Sequence, residues 1–154
     1  MLIYLGADHR GFNVKEKVKE YIKGLGYEIA DMGAASYDAN DDYPVFAKLV
    51  AEKVGPSLTH DRGILACGSG AGMDIAANKF RGVRSTLAVS PDQVYAARHD
   101  DDVNVLVLEA DFMEEEQSLQ AVQVFLATPF GGEARHARRL KEITDIEEEQ
   151  KSSY

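Results

Sequence analysis

Cysteine is nearly absent from this sequence. Cys67 is the one thiol among 154 residues, which excludes an internal disulfide and any zinc site built from cysteines alone. Positive charge is in deficit too. Lys and Arg total 17 against 26 Asp and Glu, a net charge of −9, whereas a general nucleic-acid binder needs a basic face. Long apolar runs are missing, and none approaches the roughly 20 residues of a membrane span. The opening Met1-Leu2-Ile3-Tyr4-Leu5-Gly6 has no basic segment leading an extended apolar stretch, so neither a cleaved signal peptide nor a membrane partner is expected. The expected compartment is the cytoplasm. No segment repeats at a period of roughly 20–50 residues, and no low-complexity linker divides the chain.

What remains is the composition of a globular protein, with 45% apolar and 28% charged residues. The length suits one domain, placed at 1–150 with a frayed tail at 151–154. Folding at this size buries roughly 68–70% of the unfolded surface. Leu2 to Gly6 is a continuous apolar run, the mark of a strand covered on both faces. Val14, Val18, Tyr21, Ile22 and Leu25 recur at helical spacing, and Gly24 and Gly26 end that helix. Tyr27 to Asp31 reads as a second strand and 33–42 as a polar loop. Pro44 opens a helix with Phe46, Leu49, Val50 and Val54 on its apolar face. Further strands are expected at Gly63 to Cys67, Val83 to Val89 and Val103 to Leu108. Helices are expected after Gly72, from Pro91 to about His99, from about Glu114 to Ala127 and from about Glu133 to Gln150. Five strand–helix alternations predict an α/β three-layer sandwich with a five-stranded parallel sheet and a C-terminal helix. Ligands bind such sheets at the carboxyl ends of the strands, which points to loops 7–11, 67–72 and 90–92.

Those loops carry chemistry. In Gly68-Ser69-Gly70-Ala71-Gly72, glycine at every second position lets backbone N–H groups crowd around an anionic oxygen, and the helix behind adds its positive end. The spacing is neither the dinucleotide fingerprint nor a Walker loop; the plain alternative is a tight strand-to-helix turn. A lone cysteine is usually a small buried hydrophobe. Cys67, however, stands just before a helix N-terminus, which is expected to lower its pKa toward thiolate and suits it as nucleophile or base. Asp8 and His9 lie at the same end. His99 falls at the opposite end of the sheet, where it either caps its helix or reaches a second subunit's site. Arg135 and Arg139, four apart, share a helix face. They form either a solvated turn pairing with Glu142 or the 147–149 acidic run, or a phosphate clamp. Asp38, Asp41 and Asp42 lack calcium-loop spacing and read as solvated loop. His60 is isolated and receives no role.

The segments Gly6-Ala7-Asp8-His9-Arg10-Gly11-Phe12, Asp42-Tyr43-Pro44, Gly63 to Gly72, Ile75-Ala76-Ala77-Asn78-Lys79 and Arg135-His136 with Arg139 together resemble the ribose-5-phosphate isomerase B family. The likeness extends to its sugar-phosphate relatives, including galactose-6-phosphate isomerase, and runs from Leu2 to about Ile146. It implies a Rossmann-like fold and an aldose–ketose isomerase that needs no metal or cofactor. It further implies interconversion of ribose 5-phosphate and ribulose 5-phosphate through a cis-enediolate in the pentose phosphate pathway. The partners implied are the sugar phosphate and a second copy of the chain, in a homodimer or tetramer with composite sites. Another sugar phosphate (hexose or tetrose), a non-catalytic sugar-phosphate binder and a cysteine hydrolase or transferase are the alternatives.

By this resemblance Cys67 is the catalytic base, and Met73 stands where some members place a glutamate. Asp8 and His9 contact substrate. Gly68, Ser69, Gly70, Ala71 and Gly72 form the anion loop, with Ser69 assisting catalysis. His99 is the ring-opening acid, and Arg135 and Arg139 hold phosphate. Asp100 joins the substrate-binding set, standing where the family usually has Asn. Asp111 stands where the family has a phosphate-binding Arg, so one cation is lost and a like charge added beside the phosphate. Asp74 is the reserve candidate for the base. Because five strand residues span roughly 17 Å, Cys67 and His99 can act on one sugar only if His99 comes from a two-fold partner.

Overall fold

The computed structural model describes residues 1–56 and 60–152. Strands β1 (Leu2–Ala7), β2 (Glu28–Asp31), β3 (Arg62–Cys67), β4 (Ser85–Leu87) and β5 (Val105–Glu109) alternate with helices α1 (Phe12–Gly24), α2 (Tyr43–Val54), α3 (Ala71–Ala77), α4 (Pro91–Asp101) and α5 (Glu115–Ala127), and α6 (Ala134–Ser152) closes the chain. All strand pairs are parallel, in the order β2-β1-β3-β5-β4. The strand order reverses between β1 and β3, so the ligand crevice of such a sheet opens above their carboxyl ends.

Alternation along the central strands builds two cores. Ile64, Ala66, Leu106 and Leu108 face α1, α4 and α5, meeting Val18, Ile22, Val94, Val122 and Phe125. Leu65, Cys67, Val105 and Val107 face α2 and α3, meeting Val50, Val54, Met73 and Ala77. Every residue of β3 is buried, as a strand covered on both faces requires. Truncating a core ring such as Phe125, fully buried, costs about 3–5 kcal/mol.

Boundaries differ from the sequence expectation in places. β4 keeps three residues of the expected seven-residue run; it is an edge strand paired only with β5, and Val89 is 68% exposed. Leu25 leaves the apolar face and is exposed, because α1 has ended. Helix α6 takes in Lys151 and Ser152, and the rest of the expected tail, 153–154, lies outside the described residues. A buried lysine replaces apolar packing on α1. Lys15 donates to both Asp31 oxygens and to the Ala34 carbonyl, pinning the chain after β2 beneath the crevice.

Candidate active site

Asp8 and Cys67 are neighbours because register and pleat agree. Ala7 pairs with Ala66 across β1 and β3, so the next residues stand side by side and turn to the same face. The Cys67 thiol donates to Asp8 Oδ2 at 3.0 Å, and Asp8 Oδ1 accepts from the Gly11 amide at 2.9 Å. A Cβ at Gly11 would collide with the Ala66 carbonyl and stand 2.6 Å from the Cys67 nitrogen, so only glycine lets this turn press onto the tip of β3. Gly70, at φ 72°, reverses the chain into α3.

The thiol does not titrate as the sequence suggested. Burial, and then the Asp8 carboxylate, push Cys67 up to about 11, against the opposing pull of the Gly68 and Gly70 amides. The expected lowering is thus reversed. The loop amides that precede α3 are outweighed by desolvation and by the carboxylate that follows β1. Resting Cys67 is a thiol hydrogen-bonded to the Asp8 carboxylate.

Around this pair the loops converge. His9 donates its amide to Asp41 Oδ1 at 2.9 Å, and its Nδ1 lies 2.7 Å from the same oxygen, which leaves Nε2 for a ligand. Asp41 is therefore no solvated loop residue: it orients His9. The Tyr43 ring covers Gly72, where a Cβ would come within 2.5 Å of Tyr43 Cζ. Ser69 and Ala71 are exposed beside buried Gly68 and Gly70, so the loop offers its amides and one hydroxyl outward. Asp111 forms an ion pair with Arg10 directly over Gly68; its charge is matched locally rather than left to repel a phosphate. Loop 90–92 does not join the crevice. Ser90 Oγ accepts from the Gln93 amide at 3.1 Å to cap α4, and β5 separates β4 from β3. Its place is taken by the Ala110–Asp111 turn, whose amides donate to the Cys67 and Gly68 carbonyls at 2.9 and 3.0 Å. Asp74, the reserve base, accepts from the Ser85 hydroxyl at 2.6 Å and is occupied there.

A second cluster forms at the amino ends of the strands. The His99 carbonyl accepts from the Gly131 amide at 2.8 Å, tying the end of α4 to the approach to α6. His99 Nδ1 lies 2.8 Å from Asp100 Oδ1, and Tyr95 stacks on the ring at 5.5 Å. The bond from His99 holds the Asp100 carboxyl below the usual range, helped by His136 and Arg135. Arg135 and Arg139 are exposed. Neither joins the ion pairs found among the described residues, where Glu142 and Glu148 are taken by Arg138 and Arg81. Both arginines are therefore available to an anion. A cavity of about 330 Å³ lined by Arg62, Arg84, Arg98 and Asp102 opens at this same end, away from Cys67.

Known proteins share this fold and much of this sequence. The family model described as Ribose/Galactose Isomerase matches residues 3–143. The chain belongs to that family. A ribose-5-phosphate isomerase B from Mycoplasma genitalium, solved with bound ribulose 5-phosphate, superposes with a TM-score of 0.92 at 40% identity over 96% of this chain and 97% of that one. The ribose 5-phosphate isomerase of Thermotoga maritima gives 0.86 at 42% identity over 94% of this chain and 97% of that one. The ribose-5-phosphate isomerase B of Mycobacterium tuberculosis is 36% identical over 96% of this chain and 90% of its own length. Membership agrees with the resemblance read from the loops and with the α/β Rossmann-like fold.

Within this family fold the site residues named from sequence fall into two groups. Asp8, His9, Cys67 and Gly68 to Gly72 gather at the carboxyl ends. His99, Asp100, Arg135 and Arg139 gather at the amino ends. Sequence reasoning missed Arg10 and Tyr43 as rim residues, Asp41 as the partner of His9, and Glu133 and His136 beside His99. Arg10 and Tyr43 lay within the segments that carry the resemblance and His136 beside Arg135, but nothing in the sequence paired Asp41 with His9 or brought Glu133 to His99.

Proposed function

We propose that this chain is an aldose–ketose isomerase that interconverts ribose 5-phosphate and ribulose 5-phosphate, a step of the pentose phosphate pathway, as a cytoplasmic homodimer with two shared sites. The observation that carries this reading is the buried Cys67 thiol hydrogen-bonded to Asp8 beneath a glycine loop, in a chain whose relatives bear that name over nearly their whole length.

The mechanism follows from the groups present. His99 of a second copy donates a proton to the ring oxygen and opens the sugar. Proton transfer along the Cys67–Asp8 bond generates the thiolate, steadied by the Gly68 and Gly70 amides. The thiolate takes the C2 proton as the C1–C2 bond becomes double and negative charge gathers on O1, where the loop amides stabilise it. Return of that proton to C1, with the O2 proton passing to O1, leaves the ketone at C2. General-base steps of this kind contribute about 10²–10⁴-fold. Arg135 and Arg139 clamp the phosphate. None of these steps draws on a metal or cofactor.

Two features support the shared site. Cys67 and His99 occupy opposite ends of one sheet, roughly 17 Å of strand apart. Exposed apolar residues also rim the carboxyl end: Tyr43, Val45, Ile75, Val89 and Phe112, a composition typical of interfaces. The cytoplasm is supported by the acidic composition and the absence, among the described residues, of a helix long and apolar enough to cross a membrane. The test is turnover across a panel of pentose, hexose and tetrose phosphates with unphosphorylated controls, in deuterated water. Ribose 5-phosphate should give the highest kcat/KM, with solvent deuterium incorporated into product. A hexose or tetrose phosphate winning would overturn the substrate, and a covalent adduct on Cys67 without exchange would overturn the base.

A further inference from the structure

Beside His99 lie Glu133 and His136, to which the proposed mechanism gives no role. Glu133 Oε1 is 4.0 Å from His99 Nε2, and Glu133 Oε2 is 3.2 Å from His136 Nδ1. One ligand atom from each of His99, Glu133 and His136 falls within 4.8 Å of the others. His136 is 4% exposed, and its Nδ1 is buried without a hydrogen-bond partner. A buried ring nitrogen left unpaired costs stability unless something fills its lone pair. The nearest acceptors are two carboxylate oxygens, Glu133 Oε2 at 3.2 Å and Asp100 Oδ1 at 3.6 Å. A bound cation between the ring and the carboxylates would satisfy that nitrogen together with the oxygens around it.

We propose that His99, Glu133 and His136 form a binding site for a borderline divalent transition metal such as Zn²⁺, and that filling it removes His99 from the isomerase reaction. Two imidazoles and a carboxylate are a common donor set for zinc, with the fourth position left to water or another ligand. Zinc–ligand bonds of about 2.0–2.1 Å place tetrahedral ligands roughly 3.3–3.4 Å apart. The longest separation here must therefore close by no more than about 1.5 Å. His136 is fixed by burial, while His99 and Glu133 are part-exposed, with side chains 29% and 47% accessible, and free to make that movement. The carboxylate of Asp100 on His99 Nδ1 at 2.8 Å is the outer partner that orients a ligating imidazole with Nε2 toward the ion. Glu133 and Asp100 supply two negative charges against the one positive charge of nearby Arg135. Among the described residues the other such group, Asp8, His9 and Asp41, has its imidazole already hydrogen-bonded to Asp41 and its Asp8 to Cys67.

The metal site stands on geometry alone, whereas its inhibitory consequence rests on the isomerase reading. The experiment separates the two. Chelator-stripped full-length protein is titrated with ZnCl₂ by calorimetry and with CoCl₂ by visible absorption, and activity is followed in parallel. One ion per chain is expected, with the intense d–d bands of tetrahedral Co²⁺. Affinity should fall at least tenfold in Glu133→Gln and in His136→Asn and stay unchanged in His60→Ala. Glu133→Gln, at an exposed position, guards against a misfolded His136 variant. Wild-type activity should fall in proportion to zinc bound, and the remaining activity of Glu133→Gln should need at least tenfold more zinc for the same loss. No binding, binding indifferent to both substitutions, or binding abolished by His9→Asn overturns the site. Binding as expected with activity untouched upholds the site and instead overturns His99 as the ring-opening acid.

Discussion

The two ends of the sheet are built differently. At the carboxyl end the functional groups sit on the tips of central strands, where backbone register fixes them. Cys67 and Asp8 are buried, and Gly11 packs so tightly on β3 that no side chain fits. At the amino end the groups ride on the last turn of α4 and the first turns of α6, and His99, Asp100, Arg135 and Arg139 are all partly or fully exposed. The buried end suits a base that must be desolvated and held in place about 3–3.5 Å from the carbon it deprotonates. The exposed end suits groups that act across a subunit boundary, as in the proposed dimer.

The comparison breaks most sharply at Cys67. Cys67→Ala should keep its fold, because a small residue already fills that place, and should lose about 10²–10⁴-fold in kcat. Circular dichroism and turnover check the two halves of that statement. Activity within tenfold of wild type would remove Cys67 as the base, and Asp8 would become the candidate, since Asp74 is tied to Ser85.

Subunit mixing tests whether the ends meet across two chains. Cys67→Ala and His99→Ala should each be nearly inactive. After exchange at equal concentrations, half the dimers are mixed and each carries one intact site, so activity should return toward about a quarter of wild type. No recovery with exchange confirmed would place both groups in one chain's site or remove His99 from it.

At the exposed end the losses should be smaller and should fall on binding. Arg135→Ala or Arg139→Ala removes a charge-assisted bond of about 1.5–3 kcal/mol, a rise in KM of about tenfold to a hundredfold with kcat nearly kept. Unchanged KM in both variants would make the α6 face a solvated one.

The pH response sharpens the buried end. Below about 11 Cys67 carries its proton in the free enzyme. The Asp8 charge and hydrogen bond both raise that value, so Asp8→Asn should move it down, toward the ordinary thiol range. The rate of Cys67 alkylation by iodoacetamide should then reach its plateau at lower pH in Asp8→Asn than in wild type, even as isomerisation falls through loss of the proton acceptor. An unmoved profile would mean that burial alone sets the thiol.

How much of this was legible in the sequence follows the distance over which each fact is decided. The strand at 63–67, its glycine loop and the His99 helix end were readable because local pattern settles them. The sign of the Cys67 shift was not, because it depends on Asp8, 59 residues away. The partnership of His9 with Asp41 spans 32 residues and looked like loop polarity. Loop 90–92 was misassigned because strand order is a tertiary fact: with β5 inserted beside β3, the turn at 110–111 takes the inner position. Lys15 gave no signal, since a charged residue on an amphipathic helix is expected outside, and only Asp31 and the Ala34 carbonyl make its burial tolerable.

The smallest effect concerns Asp111, the acid standing where the resemblance calls for a phosphate-binding cation. Taken from the resemblance alone, its charge repels the phosphate. The Arg10–Asp111 pair changes that argument. Both side chains are substantially exposed, at 55% and 34%, and exposed pairs contribute about 0–1 kcal/mol. Asp111→Ala should therefore lower stability by no more than about 1 kcal/mol, read as a small shift in the denaturant midpoint. Its second consequence is the informative one. Arg10, freed beside the Gly68 loop, would present an uncompensated cation to the crevice, and KM for ribose 5-phosphate should fall, by about threefold or less. The double variant Arg10→Ala/Asp111→Ala should cancel the gain. A fall in KM that survives loss of Arg10 would mean that Asp111 itself opposes the phosphate, and the charge matching seen over Gly68 would then have no part in substrate binding.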